Sequence, residues 1–333
     1  MTFRRMQPIE PDTDWQPVIE AIQKAEKILL ITHCNPDGDG IGSQLALFEA
    51  LKNGGRQVCM HNRDGVPRIY TFLEHAELVT MGDWVGASVP DVIISLDAGA
   101  KSRLGMPDSF FDSSTLINID HHASNKMYGD INLVEARYCA TGAMIYDLLI
   151  AMNLPLSKAG ASAIYAAVLT DTASFRLASA TAPVYRMAAD LIEAGADPWP
   201  ISVGIYESRP LAGLKILTAC LNTLELHDRG RSAWVYVTAE MYEQTGADVE
   251  DTEGLIDYAR SVDGVEVAVF VRVNELRENS WKISFRGKTY ADVGALASKL
   301  GGGGHHHAAG CVLQGTLDEV NERLRQAVSE LLG

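Results

Sequence analysis

The stretch Lys27-Ile28-Leu29-Leu30-Ile31-Thr32-His33-Cys34-Asn35-Pro36-Asp37-Gly38-Asp39-Gly40-Ile41-Gly42-Ser43 decides the fold. A short apolar run ends in a histidine. A turn follows that carries two aspartates among glycines, and a helical pattern starts at once. Ile41, Leu45, Phe48 and Leu51 recur at helical spacing, and Gly54-Gly55 closes that helix. A buried strand thus feeds a polar loop that opens a helix, and in α/β sheets such loops carry the chemistry.

Outward from this stretch the same unit recurs. Residues 14–26 read as a polar, amphipathic first helix, and Val58-Cys59-Met60 as a second strand. Asp91–Leu96 is a third strand, ending at Asp97-Ala98-Gly99, and Thr115–Ile119 a fourth, ending at Asp120-His121-His122. Ala-rich helices are expected over 140–153 and 157–170, with Asp171 just past the second, and further helices over 183–195 and 208–224. Gly195, Pro198 and Pro200 mark a loop between those two, a plausible hinge. Strands alternating with helices argue an α/β fold with a doubly wound parallel sheet.

From about residue 230 the pattern changes. Ser232–Thr238, Val265–Val273 and Trp281–Gly287 read as strands; Glu253–Val262, Ala291–Leu300 and Leu317–Leu332 read as helices. This is a smaller α+β domain. The expected division is 1–195 for the first domain, 196–228 for a helical linker and 229–333 for the second, with the active site in the cleft between the domains.

Asp and Glu outnumber Lys and Arg by 43 to 28 in 333 residues, a net charge of −15. Proteins that grip long nucleic acid present a basic face, so a long polymer is a poor partner. A short phosphorylated ligand remains compatible if bound cations reverse the local charge. No apolar run approaches the ~18–20 residues needed to span a bilayer, and no signal peptide is apparent. The five cysteines are scattered without a Cys-x-x-Cys pair, which suits a reducing cytoplasm.

Three apolar strands end in acidic or imidazole groups, and in a parallel sheet those ends share one edge. His33, Asp37, Asp39, Asp97, Asp120, His121 and His122 should therefore converge. Several carboxylates cannot sit together ionised unless cations compensate them, and a divalent metal pair is the simplest relief. Carboxylate-rich, thiolate-free sets with some imidazole suit Mn²⁺, with Mg²⁺ or Zn²⁺ as alternatives. Two such ions ~3.5–4 Å apart clamp a phosphoryl group and activate a water.

Each element has a plainer reading. Asp37-Gly38-Asp39-Gly40 alone is as good a turn as a site. A calcium loop fails because its twelfth position is Ala46, and the spacing of Gly38, Gly40 and Gly42 fails a dinucleotide fingerprint. Gly287-Lys288-Thr289 mimics the end of a P-loop, but Lys282 stands where the first glycine belongs. His33 alone reads as structural, Asp97 as a strand-end cap and Asp171 as a turn residue. The internal run Gly301-Gly302-Gly303-Gly304-His305-His306-His307 could be a linker or tag. Its glycines equally let backbone N–H groups approach an anion, with His305 as an added donor and Arg286 forking onto the same phosphate.

These residues together resemble a DHH-family phosphoesterase. The resemblance rests on His33-x-Asn35-Pro36-Asp37-x-Asp39-x-x-Gly42-Ser43, Asp97, Asp120-His121-His122 and Thr170-Asp171-Thr172. The second half resembles the DHH-associated domain through Gly302-Gly303-Gly304-His305-x-x-Ala308-Ala309-Gly310, Glu253-Gly254-Leu255, Gly264–Ala268 and Ser284-Phe285-Arg286. The arrangement of two domains without extra modules resembles the nanoRNase/pAp phosphatase (NrnA-type) subfamily.

The resemblance implies that His33, Asp37, Asp39, Asp97, His121 and Asp171 ligate two Mn²⁺ ions, or another divalent metal, with Asp97 bridging. It implies that Asp120 orients a ligand and that His122 contacts the scissile phosphate or protonates the leaving oxygen. Arg286, Gly302, Gly303, Gly304 and His305 would hold a substrate phosphate. The expected activity is hydrolysis of short oligoribonucleotides to mononucleotides, and of 3′-phosphoadenosine 5′-phosphate (pAp) to AMP. Alternatives are a cyclic-dinucleotide phosphodiesterase, a linear-dinucleotide specialist, an inorganic pyrophosphatase and a nucleotide-binding regulator without turnover. A cytoplasmic protein without membrane attachment is expected, with a homodimer left open.

Overall fold

A computed structural model describes residues 6–10, 12–84, 86, 89–274, 279–304 and 306–333. They form two compact units that part between Ser208 and Arg209. The first holds α1 (Gln16–Lys24), β1 (Lys27–Thr32), α2 (Gly38–Asn53), β2 (Gln57–Asn62), β3 (Val79–Met81), β4 (Val92–Leu96), β5 (Thr115–Asp120) and β6 (Ile131–Val134). It continues with α3 (Thr141–Ala151), α4 (Lys158–Asp171), α5 (Ala182–Glu193) and α6 (Pro198–Tyr206).

Its strands pair in the order β3-β2-β1-β4-β5-β6, every pair parallel. The central strands are buried and mostly apolar because both faces of the sheet are covered. Successive residues of β1 point to opposite faces. Ile28 and Leu30 join the core under the long helices, while Leu29 and Ile31 pack with Ala98, Leu104, Phe111 and Leu116 on the other side. The strand order reverses between β1 and β4, so the loops leaving these two strands run in opposite directions. They open a crevice at the carboxyl edge, which is where ligands bind in such sheets.

α2 is buried along most of its length, including Gly38–Phe48 without a break. It lies so close to α4 that a Cβ on Gly42 would overlap the Ala163 carbonyl and come within 2.9 Å of the Ala167 methyl. At the start of α2, a Cβ on Gly38 would meet the side chain of Thr170. The two helices therefore run antiparallel, with the beginning of α2 against the end of α4.

The loop expected around Pro198 and Pro200 contains α6. Asp197 caps that helix by accepting a hydrogen bond from the Trp199 N–H at 3.1 Å. Pro198 and Pro200 fall in the first turn, where a missing N–H leaves no gap. Within the segment 196–228, α6 belongs to the first unit and α7 to the second. β3 and β6 were not anticipated; they are short edge strands of the parallel sheet.

The second unit holds α7 (Leu211–Leu221), β7 (Glu225–His227), β8 (Ser232–Val237), α8 (Ala239–Thr245), α9 (Leu255–Ser261), β9 (Val267–Val273), β10 (Ser280–Gly287), α10 (Val293–Lys299), β11 (Gly303–Gly304), β12 (Ala308–Gln314) and α11 (Leu317–Leu332). Its sheet runs β11-β12-β10-β9-β8-β7 and is antiparallel except between β8 and β9. Val320, Leu324 and Val328 of α11 share a core with Val269, Ile283 and Phe285.

Gly42→Ala is expected to force α2 away from α4 and to destabilise the protein by roughly 1–3 kcal/mol, the usual effect of overfilling a packed core. Urea or thermal unfolding measures it. Undiminished stability would contradict the close approach of the two helices.

Candidate metal centre

The carboxyl edge of the first sheet gathers His33 and Asp37 from the loop after β1, Asp39 from the first turn of α2, and Asp97 from the end of β4. His121 follows β5 directly, and Asp171 is the last residue of α4. Their donor atoms fall into overlapping groups, each lying within 4.8 Å of one another. His33, Asp37 and Asp97 make one group, Asp39, His121 and Asp171 another, and Asp97, His121 and His122 a third that links them. His33 Nε2 stands 3.8 Å from Asp37 Oδ1 and 3.6 Å from Asp97 Oδ2. His121 Nε2 stands 3.7 Å from Asp39 Oδ2, 3.5 Å from Asp171 Oδ2 and 3.7 Å from Asp97 Oδ1. Asp97 thus turns one oxygen to each of the first two groups.

These separations exceed hydrogen-bond range. Donors bound ~2.1 Å from one cation lie about 3.0–3.4 Å apart as neighbours and about 4.2 Å apart across it, which brackets the observed spacings. The imidazoles fit as well. His33 Nδ1 lies 2.8 Å from the Cys34 carbonyl and His121 Nδ1 lies 3.3 Å from the Tyr138 carbonyl. A carbonyl only accepts, so each Nδ1 carries a proton, and Nε2 is the nitrogen that would give its lone pair to a bound cation.

The carboxylates are fixed by backbone amides. Asp37 caps α2, its Oδ1 accepting from the N–H groups of Asp39 at 3.0 Å and Gly40 at 3.1 Å. Asp39, fully buried, accepts from Thr141 N–H at 2.6 Å and Gly142 N–H at 2.8 Å, the first residues of α3. Helix N-termini favour negative charge, and here two of them face the cluster. Asp97 sits at φ 57°, a left-handed conformation that Asp tolerates better than most residues. Its Oδ1 accepts from the Thr141 hydroxyl at 3.1 Å. After Asp171 the chain reverses through Ala173, Ser174 and Phe175, all at positive φ. Ser174 N–H donates to the Leu169 carbonyl at 2.7 Å, which ends α4 at Asp171.

Asp120 is buried and receives the Asn125 amide at 2.6 Å and His122 Nδ1 at 2.7 Å. Asn125 also donates to the Ala98 carbonyl at 3.1 Å, tying β5's end to the turn that carries Asp97. Asp120 therefore orients His122 through Nδ1.

Burial and mutual repulsion set the protonation of the cluster. Asp97 is pushed well above the carboxylate range by burial and by Asp39 and Asp37. Burial, with Asp39 and Asp37, pushes Asp171 up to about 8. Asp39 is raised, chiefly by burial. For His33, burial opposes the charge, but Asp37 and Asp97 outweigh it and push the imidazole up to about 10. Desolvation acts on Asp37 too, yet 58% of its side chain is exposed, and His33 with two amide N–H groups draws it below its ordinary value. The cluster limits its negative charge by holding protons, and divalent cations can replace those protons.

In the second unit, Arg286 is half-buried on β10, in register between Ala308 of β12 and Ala268 of β9. Its Nη1 donates to the Phe285 carbonyl at 3.1 Å. Gly303 and Gly304 pair with Gly310 and Ala309. A Cβ on Gly304 would overlap Ala309, so the hairpin closes only with glycine there. Gly302 to Gly304 are exposed. His305 lies outside the described residues.

Residues 27–168 match the model of the DHH family N-terminal domain, and residues 233–333 match that of the DHHA1 domain. The chain is 34% identical over 319 residues to a Thermus thermophilus protein named bifunctional oligoribonuclease and PAP phosphatase NrnA, covering 95% of this chain and 93% of that one. The chain belongs to the DHH family. A Bacillus subtilis protein of the same name is 25% identical over 296 residues, covering 88% of this chain and 91% of its own. Among solved structures, an exopolyphosphatase-related protein from Bacteroides fragilis superposes with a TM-score of 0.88 at 26% identity, covering 94% of this chain and 95% of that one. RecJ from Thermus thermophilus, in complex with Mn²⁺, shares the fold at a TM-score of 0.53 and 12% identity, over 98% of this chain and 57% of its own. The Asp and His cluster suits the metal dependence of DHH-family phosphoesterases. No described helix is long and apolar enough to cross a membrane.

Sequence reasoning missed several supports of the cluster. The Thr141 and Gly142 amides are backbone donors, signalled only by the expected start of a helix near residue 140. Asn125 and the Tyr138 carbonyl carried no signal.

The raised pKa values give a pH dependence with a definite sign. Asp171 goes from 3.8 to about 8, so the stability its proton confers is full below 3.8 and lost as pH rises through about 8. His33 acts in the same direction between 6.5 and about 10. Chelator-treated protein is therefore expected to lose melting temperature from pH 6.5 to 8.5, and added Mn²⁺ to restore more at the higher pH. Thermal melts with and without metal test this; a chelated protein that gains stability with pH would contradict the assignment.

Proposed function

We propose that this chain hydrolyses short oligoribonucleotides to mononucleotides and removes the 3′-phosphate from pAp to give AMP, with two Mn²⁺ ions as cofactors. The observation that carries this reading is Asp97, whose two oxygens face two separate donor groups. The full-length likeness to a relative named as an oligoribonuclease and PAP phosphatase supports the substrate class. The chain is a phosphoric-ester hydrolase of the DHH family.

His33, Asp37 and Asp97 would hold one cation, and Asp39, His121, Asp171 and Asp97 the other. When bound, such ions neutralise phosphoryl oxygens and make a water acidic enough to attack. The protein supplies the rest. Asp37 and Asp39 stay rigid on their helix N-termini, and Thr141 steadies Asp97. Hydrolysis breaks the bond from phosphorus to a ribose oxygen, and that oxygen takes up a proton. In this reading His122 delivers it through Nε2, with Nδ1 engaged by Asp120. In the second unit, Arg286 and the amides of Gly302, Gly303 and Gly304, with His305, bind a substrate phosphate. We place the metal-binding domain at 1–195 and the substrate-binding domain at 229–333, joined by 196–228.

The test is a substrate panel with Mn²⁺: pAp, a linear dinucleotide, a cyclic dinucleotide and a long RNA. Fast turnover of pAp and the linear dinucleotide is expected, with slow turnover of the other two. Equal rates on dinucleotide and long RNA would sink the short-substrate reading. Asp97→Ala is expected to lower turnover by more than about a hundredfold, beyond what losing an outer partner of a metal ligand usually does. Substantial remaining activity would count against two cations sharing Asp97.

A further inference from the structure

Arg103 lies on the short helical turn Lys101–Leu104 that follows the Asp97 loop, and its side chain is exposed. Its carbonyl accepts the Cys34 N–H at 2.7 Å, which fixes the turn against the loop carrying His33. Its guanidinium reaches back to the cluster, with Nη2 3.2 Å from Nδ1 of His33. Lys101, on the same turn, is paired with Asp108 at 3.3 Å. Arg103 forms no ion pair with any of the described residues, although the ring it touches, His33, faces Asp37 and Asp97 through Nε2.

The contact with His33 does not satisfy that guanidinium. Arginine only donates. Nδ1 of His33 could accept from it only as a bare nitrogen, which would put the imidazole proton on Nε2. Nε2 is the atom facing Asp37 and Asp97, and a cation there requires its lone pair. With Nε2 bare, Nδ1 bears hydrogen and gives it to the Cys34 carbonyl at 2.8 Å. Two N–H groups then meet at 3.2 Å with no acceptor between them. A guanidinium beside a cation site, exposed and lacking an anion, is matched to a phosphate oxygen, which it can grip with two parallel N–H bonds.

We propose that Arg103 is a phosphate-binding residue of the first unit, donating to an oxygen of the substrate phosphate that meets the cation site at His33. This rests on the phosphoesterase reading above and adds to it a phosphate ligand from the metal-binding unit itself. Arg103 also supplies positive charge at the edge of the carboxylate cluster, where an approaching phosphate meets the strongest negative field.

The test compares wild type, Arg103→Gln and Arg103→Lys. It uses steady-state kinetics on pAp and a linear dinucleotide, inhibition by inorganic phosphate, Mn²⁺ binding by calorimetry, and melting temperature. For Arg103→Gln, KM and the phosphate inhibition constant are expected to rise about tenfold or more, the loss expected of a charge-assisted hydrogen bond. Mn²⁺ affinity and melting temperature should be unchanged, and Arg103→Lys should recover part of the loss. Unchanged KM and phosphate inhibition in an active Arg103→Gln enzyme overturn the proposal while the functional reading stands. Mn²⁺ affinity that shifts several-fold also overturns it, because the guanidinium would then act on His33 rather than on substrate. If wild type cleaves no phosphoester, the functional reading fails. Phosphate binding to the Mn²⁺-loaded protein, measured directly, still decides Arg103: loss in Arg103→Gln supports it, and equal binding overturns it.

Discussion

Mutual repulsion among four carboxylates, two of them buried, governs the first unit. Asp37, Asp39, Asp97 and Asp171 meet at one sheet edge, and two like charges ~4 Å apart at an effective dielectric of 20 repel by about 4 kcal/mol. The chain brings them there on its most strongly cored elements: every residue of β4 is buried, as is all of β1 beyond Lys27. It offsets the repulsion by three means. Amides from the first turns of α2 and α3 face Asp37 and Asp39, imidazoles stand between the carboxylates, and protons remain on Asp97 and Asp171. The first two do not offset burial and repulsion together, and Asp97 and Asp171 are raised by both. Apolar burial under the sheet therefore holds together a group of charges that only cations can neutralise fully at high pH.

The close approach of α2 and α4 belongs to the same device. Asp39 lies in the first turn of α2 and Asp171 ends α4, so their meeting depends on how those helices cross. Gly38 against Thr170, and Gly42 against Ala163 and Ala167, let the backbones approach until the first turn of one reaches the last turn of the other. Any side chain at Gly42 would move Asp39 relative to Asp171. The glycines of the Asp-Gly-Asp-Gly-Ile-Gly run thus shape the site through packing; only Asp37 and Asp39 contribute through chemistry.

Much of this was legible in the sequence where local pattern and tertiary environment agree. The strands β1, β4 and β5 were readable because burial on both faces leaves no polar alternation to confuse them, and their polar ends followed from the parallel sheet. Short edge strands such as β3 were not, since three residues of which two are exposed carry no periodicity. α6 was hidden by Pro198 and Pro200, which punctuate a loop as readily as they open a helix. In the site, side chains that end strands were found because their convergence follows from topology. The roles given to them came from resemblance to a family. The amides of Thr141 and Gly142, the carbonyls of Cys34 and Tyr138, and Asn125 were invisible. A backbone group has no sequence signature, and an asparagine in a loop differs from a solvated one only by what it touches.

Charge poses the remaining physical problem. A chain of net charge −15 must attract an anion to a cluster of carboxylates. Screening confines each surface charge to about 8 Å at physiological ionic strength, so the overall charge weighs little on a ligand a few ångströms across and heavily on one that trails over the surface. A short phosphorylated ligand need only find local inversions of sign. The first unit contains one at Arg103 beside the cation-binding donors, and the second contains another where Arg286 and the exposed glycines share one sheet. A longer chain gains nothing further from these and repels the acidic surface with each added phosphate. On the proposed function, length selection then follows from electrostatics.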